Sequence, residues 1–128
     1  MINYDLVIIG GGSAGIAAAV SAFDNGIKSI IVLEKEKSLV GILLQCIHNG
    51  FGLQTYKEEL TGPEYAHRFI KEIEKTSIKV MLNTALTCIR KDRVVEISSY
   101  GNFEQISFKA LVLSTGCLER SAGTIKLP

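Results

Sequence analysis

Residues 5–34 read DLVIIGGGSAGIAAAVSAFDNGIKSIIVLE, and the punctuation of this stretch decides the fold. Asp5 to Ile9 is a short apolar, β-branched run stopped by three glycines, the pattern of a strand buried on both faces of a parallel sheet. From Ser13 to about Asp24 the residues are small and helix-tolerant, and Asn25-Gly26 supplies a C-terminal stop. Ile30 to Leu33 forms a second buried strand, closed by Glu34. Strand, helix and strand in so short a span make one βαβ unit, whose crossover is right-handed.

Gly10, Gly12 and Gly15 form GxGxxG directly between strand and helix. In such a loop the first glycine permits the tight turn and the second lets the backbone approach a pyrophosphate. The third lets the helix pack close to the strand. The helix start at Ser13 and Ala14 offers free N–H groups and the positive end of the helix dipole to phosphates. Glu34 is placed to accept hydrogen bonds from the hydroxyls of an adenosine ribose, and its charge disfavours a 2′-phosphate there. The expectation is dinucleotide binding through Gly10, Gly12, Ser13, Ala14, Gly15, Glu34 and the adjoining Lys35. FAD and NAD both use this unit, so residues 1–35 leave the choice open; the alternative is a glycine-rich turn with no ligand.

Beyond Glu36 the periodicity fades until Thr61-Gly62-Pro63-Glu64, where the Thr and Glu suit a capping box and the proline suits a first helical turn. An apolar face through Tyr65, Phe69, Ile70 and Ile73 carries this helix to about Thr76. Ile78 to Leu82 reads as a third strand. Leu86–Lys91, Arg93–Ser99 and Phe103–Phe108 alternate partially, with turns near Asp92 and at Gly101-Asn102, and predict an antiparallel three-stranded meander. Ala110 to Ser114 returns as a separate buried strand ending in Thr115-Gly116. The predicted class is α/β, a Rossmann-like FAD/NAD(P)-binding domain with a parallel sheet and a meander.

The 128 residues suit one domain. Hydrophobic residues at 47% and charged residues at 21%, with a net charge of +1, allow one buried core and show no basic face for nucleic acid or anionic membrane. The N-terminus lacks the basic and long apolar regions of a signal peptide, and the uncharged run from Leu6 to Phe23 is broken by glycines and serines, unlike a membrane span. Cys46, Cys88 and Cys117 are odd in number and form no CxxC pair, supporting neither a disulfide framework nor a zinc site. A reducing cytoplasm is the expected location.

From VIIGGGSAGIAAA through VLEKE to ALVLSTG, the chain resembles the pyridine nucleotide–disulfide oxidoreductase superfamily along its whole length. The resemblance implies an FAD domain, with NAD(P) as a second dinucleotide in the complete enzyme. GILLQCIHNGFGL, ELTGPEYAHRFI and STGCLERSAGTIKLP are similar to a narrower group, the FAD/NAD-dependent dehydrogenases associated with glycerol-3-phosphate oxidation in bacteria. These are related to α subunits of amino-acid dehydrogenases and of hydrogen cyanide synthase. Val40-Gly41 departs from the paired glycines of such relatives. The resemblance further implies that Thr115 and Gly116 close over the pyrophosphate and ribityl region. The Ala85 backbone would meet the adenine edge and Gln45 a flavin edge or its own loop.

Disulfide reductases of this superfamily carry two cysteines a few residues apart against the flavin. Here Leu43 and Leu44 stand where a second thiol is needed, and Cys46 alone cannot form that disulfide. Cys46 is expected to pack as a small polarizable residue near the flavin ring. His48 is either a loop residue bonded to backbone or the proton acceptor during hydride transfer. His67 is expected on a solvated helix face, and Cys117, Glu119 and Arg120 in a link to a following domain. The resemblance implies that residues 1–128 are one incomplete FAD-binding domain, lacking the NAD-binding domain and the C-terminal part of the FAD domain, and inactive alone. The expected function is hydride transfer between a small-molecule substrate, flavin and NAD(P), with a partner dehydrogenase subunit or a homo-oligomer. The rivals are a disulfide reductase-like enzyme and a non-catalytic nucleotide-binding or assembly module.

Overall fold

The computed structural model describes residues 1–39 and 62–116. Strand β1 (Ile2–Ile9) leads into helix α1 (Ser13–Asp24) and strand β2 (Ile30–Leu33). Helix α2 (Gly62–Glu74) precedes strand β3 (Lys79–Met81). The meander follows as β4 (Thr84–Arg90), β5 (Val94–Ser99) and β6 (Asn102–Leu113). The Thr76 hydroxyl donates to the Ile73 carbonyl at 2.6 Å and accepts from Ile78 N–H at 3.2 Å. That side-chain competition with the helical ladder ends α2 slightly before the expected Thr76.

β1 lies between β2 and β6 and is parallel to both; β3 pairs parallel with the far side of β2. Consecutive residues of a strand point to opposite faces, so the unbroken apolar runs of β1 and β2 feed two cores. Leu6, Ile8, Ile30 and Val32 pack with Ile16 and Ala19 of α1 and Phe69 and Ile73 of α2. Val7, Ile9, Ile31 and Leu33 pack instead with Val95, Ile97 and Ile106 of the meander. The meander thus covers the sheet face that the helices leave bare.

Two expectations about the meander need correction. Its third strand and the returning strand are one continuous 12-residue strand, β6. Asn102–Ser107 pairs antiparallel with β5 and Ile106–Leu113 pairs parallel with β1, so the partner changes while the backbone runs on. The polar Lys109 that reads as a break is 81% exposed and bridges to Asp5 at 3.2 Å. β1 starts at Ile2 rather than Asp5 for the same reason: Ile2–Tyr4 pair with Ile106–Phe108. The β5–β6 turn is Tyr100-Gly101, one residue earlier than expected. Both residues have positive φ, 49° and 82°, as a two-residue type I′ hairpin requires.

The strand order is β3-β2-β1-β6-β5-β4, so consecutive strands β3 and β4 occupy opposite ends of the sheet. Laid flat, five gaps of about 4.8 Å would part them by roughly 24 Å. The three steps from Met81 to Thr84 reach only about 11 Å. The sheet therefore curls back on itself, and the corner is Asn83, with φ of 52°.

Ile8 is fully buried at the centre of the helix-side core, whereas Phe103 of β6 is 76% exposed. Ile8→Ala is expected to lower stability by about 2–5 kcal/mol, and Phe103→Ala by less than about 0.5 kcal/mol. Midpoints of urea unfolding check the contrast.

Candidate nucleotide-binding site

The C-terminal end of β1 is built by close backbone contact. Gly10 has φ of 105°, and its N–H donates to the Leu33 carbonyl at 2.8 Å. A Cβ there would lie 2.0 Å from the Ser114 carbonyl oxygen. A Cβ on Gly15 would lie 2.0 Å from the Gly10 oxygen and 2.7 Å from Ser114 Oγ. Ser114 N–H donates to the Ile9 carbonyl at 2.8 Å, and its hydroxyl lies 3.0 Å from both the Ile9 and Gly10 carbonyls. Packing alone requires Gly10 and Gly15 to be glycine.

Gly12 is different. It caps α1 with φ of −78°, a value open to any residue, and among the described residues a Cβ would meet nothing within 4 Å. Among the described residues no side chain caps the helix, and its first turn holds no acidic residue. The first-turn N–H groups have no intrahelical acceptors. A bare helix N-terminus beside open space has the shape and polarity for a phosphate group.

Glu34 stands next to it, 7% exposed. One carboxylate oxygen accepts Gly11 N–H at 2.8 Å and the other accepts Glu36 N–H at 2.8 Å. A carboxylate has about four acceptor positions, and the described residues fill two of them. The sequence reading missed Gly11, whose N–H fixes this side chain; a Cβ there would lie 2.6 Å from Leu39 Cδ2. Its one signal was its place as the middle glycine of the GGG run.

The remaining site residues gather at the same end of the sheet. Exposed Lys35 adjoins Glu34. Ala85, also exposed, follows Thr84, whose N–H donates to the Glu34 carbonyl at 2.9 Å. Thr115 and Gly116 are exposed just past β6, and Gly116 has φ of 74°. Ligands of α/β sheets bind at the carboxyl ends of strands, where these groups converge. Gln45, Cys46 and His48 lie outside the described residues, as do Cys117, Glu119 and Arg120. Cys88 is an exposed free thiol on β4. Among the described residues no helix is long and apolar enough to cross a membrane, and no cluster of His, Cys, Asp and Glu forms a metal site.

The profile of the pyridine nucleotide-disulphide oxidoreductase family matches residues 4–126. The chain belongs to this family. Its thioredoxin reductase-like members use FAD and NAD(P)H. Thioredoxin reductase of Ureaplasma parvum is 30% identical over 120 residues, covering 91% of the chain and 36% of that protein. Hydrogen cyanide synthase subunit HcnB of Pseudomonas protegens is 28% identical over 126 residues, covering 94% of the chain and 26% of that protein. The crystal structure of T. acidophilum thioredoxin reductase matches with a TM-score of 0.76 at 22% identity, over 96% of this chain and 38% of that one; this likeness is one of fold. The chain thus spans about a third of the length of the thioredoxin reductase relatives and a quarter of HcnB.

The two kinds of glycine are separable by substitution. Gly12→Ala is expected to keep stability within about 1 kcal/mol while weakening FAD binding about tenfold or more. Gly10→Ala is expected to cost about 2–4 kcal/mol of stability before any ligand is added. Thermal unfolding without FAD, paired with flavin-fluorescence titration, checks both.

Proposed function

We propose that the chain is the FAD-binding part of a flavin-dependent oxidoreductase that passes hydride between a small substrate, flavin and NAD(P). The observation that carries this reading is Gly12, a glycine the fold does not need, at an uncapped helix start beside the half-occupied Glu34 carboxylate. In this reading the N–H groups of Ser13, Ala14 and Gly15 hold the pyrophosphate and Glu34 holds the adenosine ribose. Lys35 and the Ala85 backbone border the adenosine, while Thr115 and Gly116 close over the pyrophosphate. FAD supplies the two-electron centre. Residues 1–128 then form part of the FAD domain, and the NAD(P) site comes from sequence beyond this stretch.

The finer assignment is to the dehydrogenases without a redox dithiol, associated with glycerol-3-phosphate oxidation. It is supported by Cys46 standing alone among Leu43, Leu44 and Ile47. In this reading His48 would take the hydroxyl proton of a small alcohol whose carbon gives its hydride to the flavin, with Gln45 and Cys46 as the other candidate residues for the flavin side. A partner dehydrogenase subunit is part of this reading, in keeping with the subunit name of the Pseudomonas protegens relative. The second reading, a disulfide reductase, is favoured by the name of the Ureaplasma parvum relative. It needs a second sulfur from outside residues 41–51.

Heat denaturation of the intact protein is expected to release a yellow cofactor with the absorption of FAD; nicotinamide absorbance alone overturns the assignment. Cys46→Ser separates the two readings. Under the dehydrogenase reading, NADH-dependent dye reduction by the variant stays within about threefold of wild type, because packing alone is lost. Loss of a disulfide-reducing activity together with dye reduction points to thiol chemistry at Cys46 instead.

A further inference from the structure

The corner that closes the curled sheet lies against Glu34, a buried carboxylate. Glu34 N–H donates to the Met81 carbonyl, Thr84 N–H to the Glu34 carbonyl and Asn83 N–H to the Glu36 carbonyl, each at 2.9 Å. Thr84 is 2% exposed, and its hydroxyl donates to the Leu82 carbonyl at 2.9 Å. Leu82 precedes the left-handed Asn83, so the chain turns away there and the hydroxyl supplies a partner for its carbonyl in place of water. Asparagine tolerates the positive φ better than most residues.

We propose that Asn83 and Thr84 are positioning residues that set the direction of the Glu34 carboxylate toward the ribose; this rests on the nucleotide-site reading above. Two routes connect them. Thr84 holds the main chain of Glu34 through its own N–H, and its hydroxyl keeps that N–H in place by bonding the Leu82 carbonyl at the corner. Asn83 holds the carbonyl of Glu36, the residue whose N–H is bonded to the second Glu34 carboxylate oxygen. With Gly11 N–H on the first oxygen, the side chain is fixed from the glycine loop on one side and from the β3–β4 corner on the other. Loosening the corner releases one of these two anchors and lets the carboxylate swing from the sugar, with no loss of any group that touches the phosphates.

The test compares FAD with its 2′,3′-dideoxyadenosine analogue by flavin-fluorescence titration of the intact protein. Thr84→Val is expected to weaken FAD binding about tenfold while changing analogue binding less than about twofold, since the analogue offers Glu34 no hydroxyls. Thr84→Ser, which keeps the hydroxyl, is expected to restore the FAD affinity. Asn83→Ala strains the corner without touching a buried hydroxyl, and is expected to give a smaller loss, about threefold, with the same selectivity. It also serves should Thr84→Val not fold. In a Glu34→Gln background the Thr84→Val effect is expected to shrink, because the two act as one unit. Equal losses for FAD and analogue, or an unchanged FAD affinity in both Thr84→Val and Asn83→Ala, overturn the positioning role. Wild-type protein that binds neither flavin overturns the site reading on which it rests.

Discussion

The structure depends on one close approach. The Gly10 turn, the start of α1 and the end of β6 meet backbone to backbone, at distances where a single added Cβ would sit 2.0 Å from a carbonyl oxygen. This contact sets α1 over the sheet with its N-terminus directed to the carboxyl ends of β1 and β6. Ser114 ties the two strands from below, with its N–H and hydroxyl both directed at the Ile9 carbonyl. Remove the close approach and the helix start moves off the strand ends, taking the open space at Gly12 with it.

The second constraint is the curl. Because β3 and β4 are sequence neighbours at opposite ends of the strand order, the meander must fold back over the parallel strands, where Val95, Ile97 and Ile106 complete the second core. The same curl brings Thr84 to the end of β2. Glu34 is then held through its main chain by the corner and through its carboxylate by Gly11 and Glu36 N–H groups. Burying a carboxylate is costly unless it is hydrogen-bonded, and bonds to a charged acceptor are worth about 1.5–3 kcal/mol each. The acid is therefore oriented before any ligand arrives.

Family membership and site geometry speak to different questions. The relatives named above include a thioredoxin reductase and a hydrogen cyanide synthase subunit, proteins with unlike substrates. What such proteins share with this chain over residues 4–126 is the scaffold, and function resides in sites grafted onto a scaffold. In the proposed reading the glycine loop, Glu34 and Thr115-Gly116 would hold the nucleotide, and the choice of substrate would rest with other residues.

The sequence by itself determined the βαβ unit, the glycine loop, Glu34 at the strand end and the existence of a meander. Each of these is written locally, in a run of β-branched residues, a turn residue or a helix stop, and needs no distant partner to be recognised. Tertiary structure decided that β6 is continuous, since an exposed Lys109 looks like a break until two successive partners are seen. It also sorted the glycines, making Gly10 and Gly15 necessary to packing and Gly12 free of it. Likewise, the weight of Gly11, Asn83 and Thr84 emerged only when residues 34–36 and 81–84 were brought together. Those roles depend on which backbone atoms meet across the fold, and spacing along the chain does not encode such meetings.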